Sequence, residues 1–391
     1  MTPAARLQAA IEILDEVIAS AHEDGAPADI TVTRYFKTRR YAGSKDRRAV
    51  RELVFRAIRR TAERPQSGRT AFLGLAEDEP ELLELFGQPR GPAPRRDEDS
   101  AARQSYVPKW LEAELSPLVS GEEWAALLER APLDLRANVA RIARDELLRE
   151  FDGADPTPLS PWGLRLPFDT RVDDSAPYQA GLVEVQDEGS QLIALACDPH
   201  DGEVIIDLCA GAGGKSLALA AAASKARVVA TDSNRARLSM LPDRANRAGA
   251  DVETRLINPP RELEELAELR GTADVVLVDA PCSGSGTWRR NPEGRWRLTP
   301  ERLDRLVHLQ QQLLDIGAEL VRPRGRLVYA VCSLLSREGA RQIDGFLERH
   351  SSWISEDPPI PGGRTDGAGR LLTPGHDHTD GFFVARLGRP C

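Results

Sequence analysis

Four short, nearly unbroken apolar runs, at residues 204–206, 228–230, 275–278 and 327–331, recur through the second half of the chain with helix-like sequence between them. A strand exposed on one face alternates apolar and polar residues, whereas these runs do not alternate. The pattern predicts a parallel sheet buried on both faces by helices, and so an α/β fold. A fifth run, at residues 382–387, comes late and follows a turn. Parallel sheets of this kind bind ligands beyond the carboxyl ends of their strands. The residues that follow each run are therefore the candidates for function.

After the first run comes IIDLCAGAGGKS, residues 205–216. Gly211, Gly213 and Gly214 open a helix through a turn that lets backbone approach a ligand closely. A phosphate-binding loop of the G-x-x-x-x-G-K-[ST] type would need glycine at 209, where Cys209 stands, so the spacing does not support nucleotide hydrolysis. The second run ends in ATDSNRARL and sets Asp232 at its tip, 25 residues after Asp207. An acid there suits the two ribose hydroxyls of an adenosine-containing cofactor, and both NAD and S-adenosylmethionine fit this pair of motifs.

The third and fourth runs end in cysteine. VVLVDAPCSGSG brings Asp279 and Cys282 to one strand end, and GRLVYAVCS brings Cys332 to another. A single cysteine is more often a small buried hydrophobe than a reactive group. Two at the ligand-binding edge of one sheet, one of them just after Asp-Ala-Pro, point instead to thiol chemistry.

The first 86 residues read as all-helical. Thr2 can cap a helix with Pro3 in its first turn, where Leu7, Ile11, Leu14 and Ile18 share a face, and Ser44 can cap another, striped by Val50, Leu53, Val54 and Ile58. Residues 87–104 are rich in proline, glycine and charge and read as a linker. Residues 105–175 form an intermediate segment read as bracing or extending an RNA surface. Helical stretches are expected around 110–115 and 122–130 and in RANVARIARDELLREF, and the catalytic domain is expected over 176–391.

Composition sets limits on partners. Five cysteines, none close to another in sequence, show neither a zinc pair nor a disulfide framework, so no metal is expected and the thiols should be reduced. His376 and His378 lie in a loop without further ligands. No long apolar stretch predicts a membrane span, and the amphipathic start is unlike a secretory signal, so the cytoplasm is the expected location. The net charge of −9 disfavours nucleic acid, but its distribution does not. Residues 34–60 hold eleven lysines and arginines against two acids, including Arg39, Arg40, Lys45, Arg47 and Arg48. A second cluster, with Arg289, Arg290 and Arg295, interleaves with Trp288 and Trp296. Such patches suit phosphate contact and base stacking, and a solvated surface is the competing reading.

The strings YQAGLVEVQDEGSQL, DLCAGAGGK, ATDSNRARL, LVDAPCSGSGTWRRNPEGRW, LVYAVCSL and HTDGFFVARL, in this order from about 178 to 387, resemble the RsmB/Sun-type RNA cytosine carbon-5 methyltransferases. YAGSKDRRAVRELVFRAIRR is similar to the helical RNA-binding module typified by NusB, and with APLDLRAN it points to the bacterial small-subunit rRNA branch. The resemblance implies a Rossmann-like, class I S-adenosylmethionine-dependent methyltransferase domain of seven strands, the last antiparallel, preceded by an all-α NusB-like domain. It lays the cofactor against Cys209, Ala210, Gly211, Ala212, Gly213, Gly214 and Lys215, with Asp232 and Asp279. It makes Cys332 the nucleophile and Cys282 the residue that helps release the product, in a protein expected to act as a monomer.

The chemistry explains two thiols. Cytosine carbon-5 attacks a methyl group only after a thiolate has added at carbon-6, and the adduct must then be expelled. Lys215 is a candidate to favour the thiolate, and Asp279 to hold the base. Two positions depart from the family pattern: Val331 precedes the nucleophile in place of threonine, and Asn258 stands where an acid near the adenine is usual. Transfer RNA is the alternative substrate, and a non-catalytic RNA-binding assembly factor is the alternative class.

Overall fold

The computed structural model describes residues 1–22, 25–168 and 170–391. It divides into two compact units, each built from discontinuous sequence.

The first unit comprises Met1–Leu115, Gly121–Glu129 and Thr287–Pro300. Four helices form its body: α1 (Pro3–His22), α2 (Ala28–Lys37), α3 (Ser44–Arg60) and α4 (Gly68–Asp78). Thr2 Oγ1 accepts the Ala5 amide, as a capping residue should. Ser44 does not cap α3: it begins the helix, and Gly43 holds the capping position without a side-chain bond. Leu7, Leu14, Val50, Val54 and Ile58 meet in the core. Gly68 lies so close to α1 that an added Cβ would stand 2.4 Å from the Ile11 carbonyl.

Residues 87–104 lack helix and strand, yet they are not a free tether. Asp99 pairs with Arg69, the Ala102 amide donates to Thr70 O, and Arg60 donates to Ala102 O. Residues 122–130, expected as helix, form successive turns, and Lys109–Glu114 is a short 3-10 helix of about two turns.

The second unit comprises Ser116–Ser120, Arg130–Gly286 and Glu301–Cys391. It opens with a small antiparallel sheet of β1 (Leu133–Ala137), β2 (Asp155–Pro156), β3 (Gly163–Leu166) and β4 (Val183–Val185), in the order β2-β3-β1-β4. This corrects the helical expectation for residues 136–151. Leu135 and Ala137 alternate into an apolar cluster with Leu164 and Val183, and only Arg144–Leu147 is helical. Pairing with β3 and β4 prevailed over helix-like spacing because those strands supply the apolar face that Leu135 and Ala137 meet.

The main sheet contains the expected runs as β5 (Val204–Asp207), β6 (Arg227–Asp232), β7 (Val252–Leu256), β8 (Ala273–Asp279) and β9 (Val321–Val331). These five are parallel, ordered β9-β8-β5-β6-β7. β10 (Ile354–Glu356), β11 (Arg364–Asp366), β12 (Gly369–Leu372) and β13 (Phe382–Gly388) complete it. β13 runs antiparallel to β9, with Tyr329 opposite Ala385, and β10 pairs with β13. Seven strands thus follow the expected Rossmann-like plan, and the β11–β12 hairpin widens the outer edge. The strand order reverses between β5 and β8, and the tips of β5, β6, β8 and β9 share the sheet edge at which such folds bind ligands.

Candidate active site

At the tip of β5 the chain turns through Gly211 and Gly213, both at positive φ (58° and 82°), into the helix Gly214–Ala222. A side chain at Gly211 would collide with Arg237, and one at Gly213 with Leu241. The turn is held by Asp232 from the neighbouring strand tip. Its Oδ2 accepts the Gly211 amide at 2.7 Å, and its Oδ1 accepts the Asn234 amide at 2.6 Å. A carboxylate has about four lone-pair positions, so Asp232 keeps capacity for further donors. Asn258, just beyond β7, is exposed, and its backbone and side-chain amides both donate to Glu265.

Lys215, in the first turn of the same helix, reaches across to β8, where its Nζ lies 2.7 Å from Asp279 Oδ2 and 5.4 Å from the centre of the Phe382 ring. Burial acts to lower the Lys215 pKa, but the charge and hydrogen bond of Asp279 outweigh it, and the net shift is upward. The Cys332 sulfur adds to that upward shift. Asp207, fully buried at the end of β5, accepts from Ser216 through Oδ2 alone. Burial raises its pKa to about 7.

The two cysteines meet. Cys282 Sγ and Cys332 Sγ are 3.4 Å apart, both as free thiols. The hydrogen bond with Cys332 and burial push the Cys282 pKa well above the ordinary thiol range. Cys209 is also raised, by burial and by Asp207, and behaves as a buried thiol. The expected catalytic group of Cys332, Cys282, Asp279 and Lys215 is therefore gathered at adjacent strand tips. Sequence reasoning missed the polar cluster behind it, in which Ser283, Ser285, Ser333 and Gln310 surround Glu338. The only local signal was that serine follows each cysteine.

The basic residues fare differently. On α3, Lys45, Arg47 and Arg48 are exposed, as is Arg40 before it, while Arg39 stacks on Tyr35 with its guanidinium 3.5 Å from the ring centre. Arg295 is a correction. It is 1% exposed and donates to the carbonyls of Ile58, Arg59, Tyr106 and Pro292. Burial lowers its pKa to about 9. Trp296 sits in the helical core, with its Nε1 donating to Thr61 O. This segment reads as aromatic and basic because it is a structural plug. Arg289 is 6% exposed, and Arg290 is exposed. Among the described residues, no group of His, Cys, Asp and Glu could hold a metal ion, and no helix is long and apolar enough to cross a membrane.

Comparison with known proteins gives a consistent picture. Residues 194–388 match the family model described as 16S rRNA methyltransferase RsmB/F. The probable ribosomal RNA small subunit methyltransferase B of Synechocystis is 35% identical over 312 residues, covering 74% of this chain and 68% of that protein. Ribosomal RNA small subunit methyltransferase B of Photorhabdus laumondii is 34% identical over 289 residues. The chain spans 66% of that relative's length, and the match covers 72% of this chain. Among solved structures, NSun6 from Pyrococcus horikoshii, determined with SFG, shares the fold at a TM-score of 0.64 and 18% identity, covering 73% of this chain and 98% of that one.

Proposed function

Because the chain belongs to the RsmB/F methyltransferase family, we propose that it transfers a methyl group from S-adenosylmethionine to carbon-5 of a cytosine in RNA, with small-subunit rRNA as the substrate. The observation that carries this reading is the 3.4 Å separation of the Cys282 and Cys332 sulfurs beside the Lys215–Asp279 ion pair.

The residues present suit that cofactor. Asp232 retains lone pairs for a ribose diol, and the positive-φ turn through Gly211 and Gly213 brings bare backbone to the strand tip beside it. On this reading Cys209 through Gly214 would line the rest of the cofactor site, and Asn258, whose amides donate to Glu265, would stand near the adenine. When bound, S-adenosylmethionine supplies an electrophilic methyl group on sulfonium.

The target base must first leave its stack, at a cost of a few kcal/mol. Cys332, as thiolate, adds to cytosine carbon-6, and the new S–C bond pushes electron density onto carbon-5, which accepts the methyl group. Lys215 is the cation that this reading assigns to the thiol site, held there by Asp279. Asp279 has one oxygen engaged by Lys215 and keeps capacity for the exocyclic amine of the base. The carbon-5 proton is then lost to solvent, the S–C bond breaks, and the 5,6 double bond returns. Cys282 holds its proton against the Cys332 sulfur, where a hydrogen bond eases departure of the thiolate.

The experiment is transfer of labelled methyl from S-adenosylmethionine to total RNA, followed by nucleoside analysis. The reading predicts 5-methylcytidine in small-subunit rRNA and none with Cys332→Ala. Label in transfer RNA would move the substrate. Label in another nucleoside, or none in RNA, would overturn the proposal.

A further inference from the structure

We propose that Glu338 is a positioning residue that sets the distance between the two thiols by gripping the residue after each one. The inference rests on the two-thiol reading above but concerns a residue that the reading does not use.

Glu338 is fully buried, five residues beyond Ser333. Its Oε2 accepts from Ser283 Oγ and from Ser333 Oγ, both at 2.5 Å. Its Oε1 accepts from the Ser283 amide at 2.9 Å and from Gln310 Nε2 at 2.9 Å. Gln310 also donates to the Pro281 carbonyl, the residue before Cys282. One carboxylate therefore holds Cys282-Ser283 and Cys332-Ser333 together from behind, at loops that leave β8 and β9.

The grip is reinforced on both sides. Ser285 Oγ accepts the Leu334 amide at 2.9 Å and lies 3.1 Å from Ser333 Oγ, and the Gly286 amide donates to the Cys332 carbonyl at 3.0 Å. The backbone of Glu338 is itself fixed, because Tyr329 Oη donates to its carbonyl. A carboxylate suits this place better than an amide. Deprotonated, it only accepts hydrogen bonds, and all four neighbours can donate. Charge-assisted bonds of this kind are shorter and stronger than neutral ones. A glutamine would turn one acceptor into a donor facing two hydroxyls that must then reverse. The thiols would remain in the pocket, but their separation would no longer be enforced. A group that must attack in one step and be expelled with help in a later one is sensitive to displacements of this size.

The test uses the full chain with Glu338→Gln and, as a second variant, Ser283→Ala/Ser333→Ala, which leaves the carboxylate intact but removes both hydroxyl anchors. Calorimetric binding of S-adenosylmethionine checks folding in each case. The first readout is diamide oxidation. Diamide takes two hydrogens from a thiol pair to become the hydrazine and leaves a disulfide, and the Cys282–Cys332 peptide pair is followed by mass spectrometry. The rate reports thiol proximity whatever the thiols do in catalysis. We expect it to fall about tenfold or more in both variants, with cofactor affinity within about twofold of wild type. The second readout is methyl transfer, where kcat should fall about tenfold or more while KM for S-adenosylmethionine stays unchanged. Unchanged disulfide formation and unchanged kcat in both variants would overturn the proposal. So would a cofactor affinity that falls in step with kcat, because Glu338 would then be supporting the fold at large. The two-thiol mechanism fails on a different result, namely methyl transfer that survives Cys332→Ala with Glu338 in place.

Discussion

The Lys215 ammonium bridges two strand tips, with its Nζ 2.7 Å from Asp279 Oδ2 on β8 while its backbone opens the helix that follows β5. Its side chain is 11% exposed and that of Asp279 is 28% exposed, so water screens the pair only in part. Removing one partner of such a pair leaves an uncompensated charge, and Lys215→Met should destabilise the protein by roughly 3 kcal/mol, at the low end of buried pairs. The folded pKa of Lys215 is raised, so its contribution is fully present below the unfolded lysine value and is lost as pH rises through the folded value. Chemical denaturation of wild type and variant should show a constant difference from pH 8 to 9, above the Asp207 titration and below that of lysine. A difference that shrinks on acidification within that window would contradict the assignment.

Asp207 predicts a pH dependence in the other half of the range. Its folded pKa is raised to about 7 by burial, and Oδ1 has no hydrogen-bond partner. A raised carboxyl stabilises the fold fully below the unfolded aspartate value, and that contribution is lost between about pH 4 and 7. Asp207→Asn should therefore be more stable than wild type at pH 8, by about 1–3 kcal/mol, and should lose this slope. Equal stability of the two at pH 8 would show that the carboxylate is compensated.

Asp232→Ala should weaken binding of S-adenosylmethionine by roughly 1.5–3 kcal/mol, the size of lost hydrogen bonds to a charged group. The change also frees the Gly211 and Asn234 amides, so the turn should loosen as well. Isothermal calorimetry showing unchanged affinity would remove Asp232 from the cofactor site.

The helical unit cannot be cut away cleanly. Trp296 and Arg295 are distant in sequence from the helices they pack with, and deleting residues 1–85 would strip both of their cover. Trp296→Ala should cost about 3–5 kcal/mol, as for other buried aromatics. RNA binding is better tested by Lys45→Gln/Arg48→Gln/Arg51→Gln on the exposed face of α3. If these residues contact phosphate, the slope of log affinity against log salt should shallow by about 2–3. An unchanged slope would make α3 a solvated face.

Asp232, Asp279, Cys282 and Cys332 could be located because buried parallel strands are unbroken apolar runs, and their tips can be counted off directly. β1 could not, since LDLRA is only five residues long and leads into helix-like spacing, and its partners are about 30 and 50 residues away. Arg295 misled for a related reason: its carbonyl partners at Ile58 and Arg59 lie more than 230 residues back, so nothing local distinguished a plug from a phosphate contact. Glu338 carries no motif at all. Its role depends on four donors drawn from three separate segments.

The division of labour between the two thiols is tested most directly by trapping. Cys282→Ala should leave the attack by Cys332 and methyl delivery intact but slow the expulsion, so a protein–RNA adduct should accumulate that survives denaturing electrophoresis and requires S-adenosylmethionine. Cofactor binding by calorimetry checks that the variant is folded, and Cys332→Ala should give neither adduct nor product. An adduct that appears with Cys332→Ala and vanishes with Cys282→Ala would reverse the roles. Methylation by both variants without any adduct would contradict the mechanism.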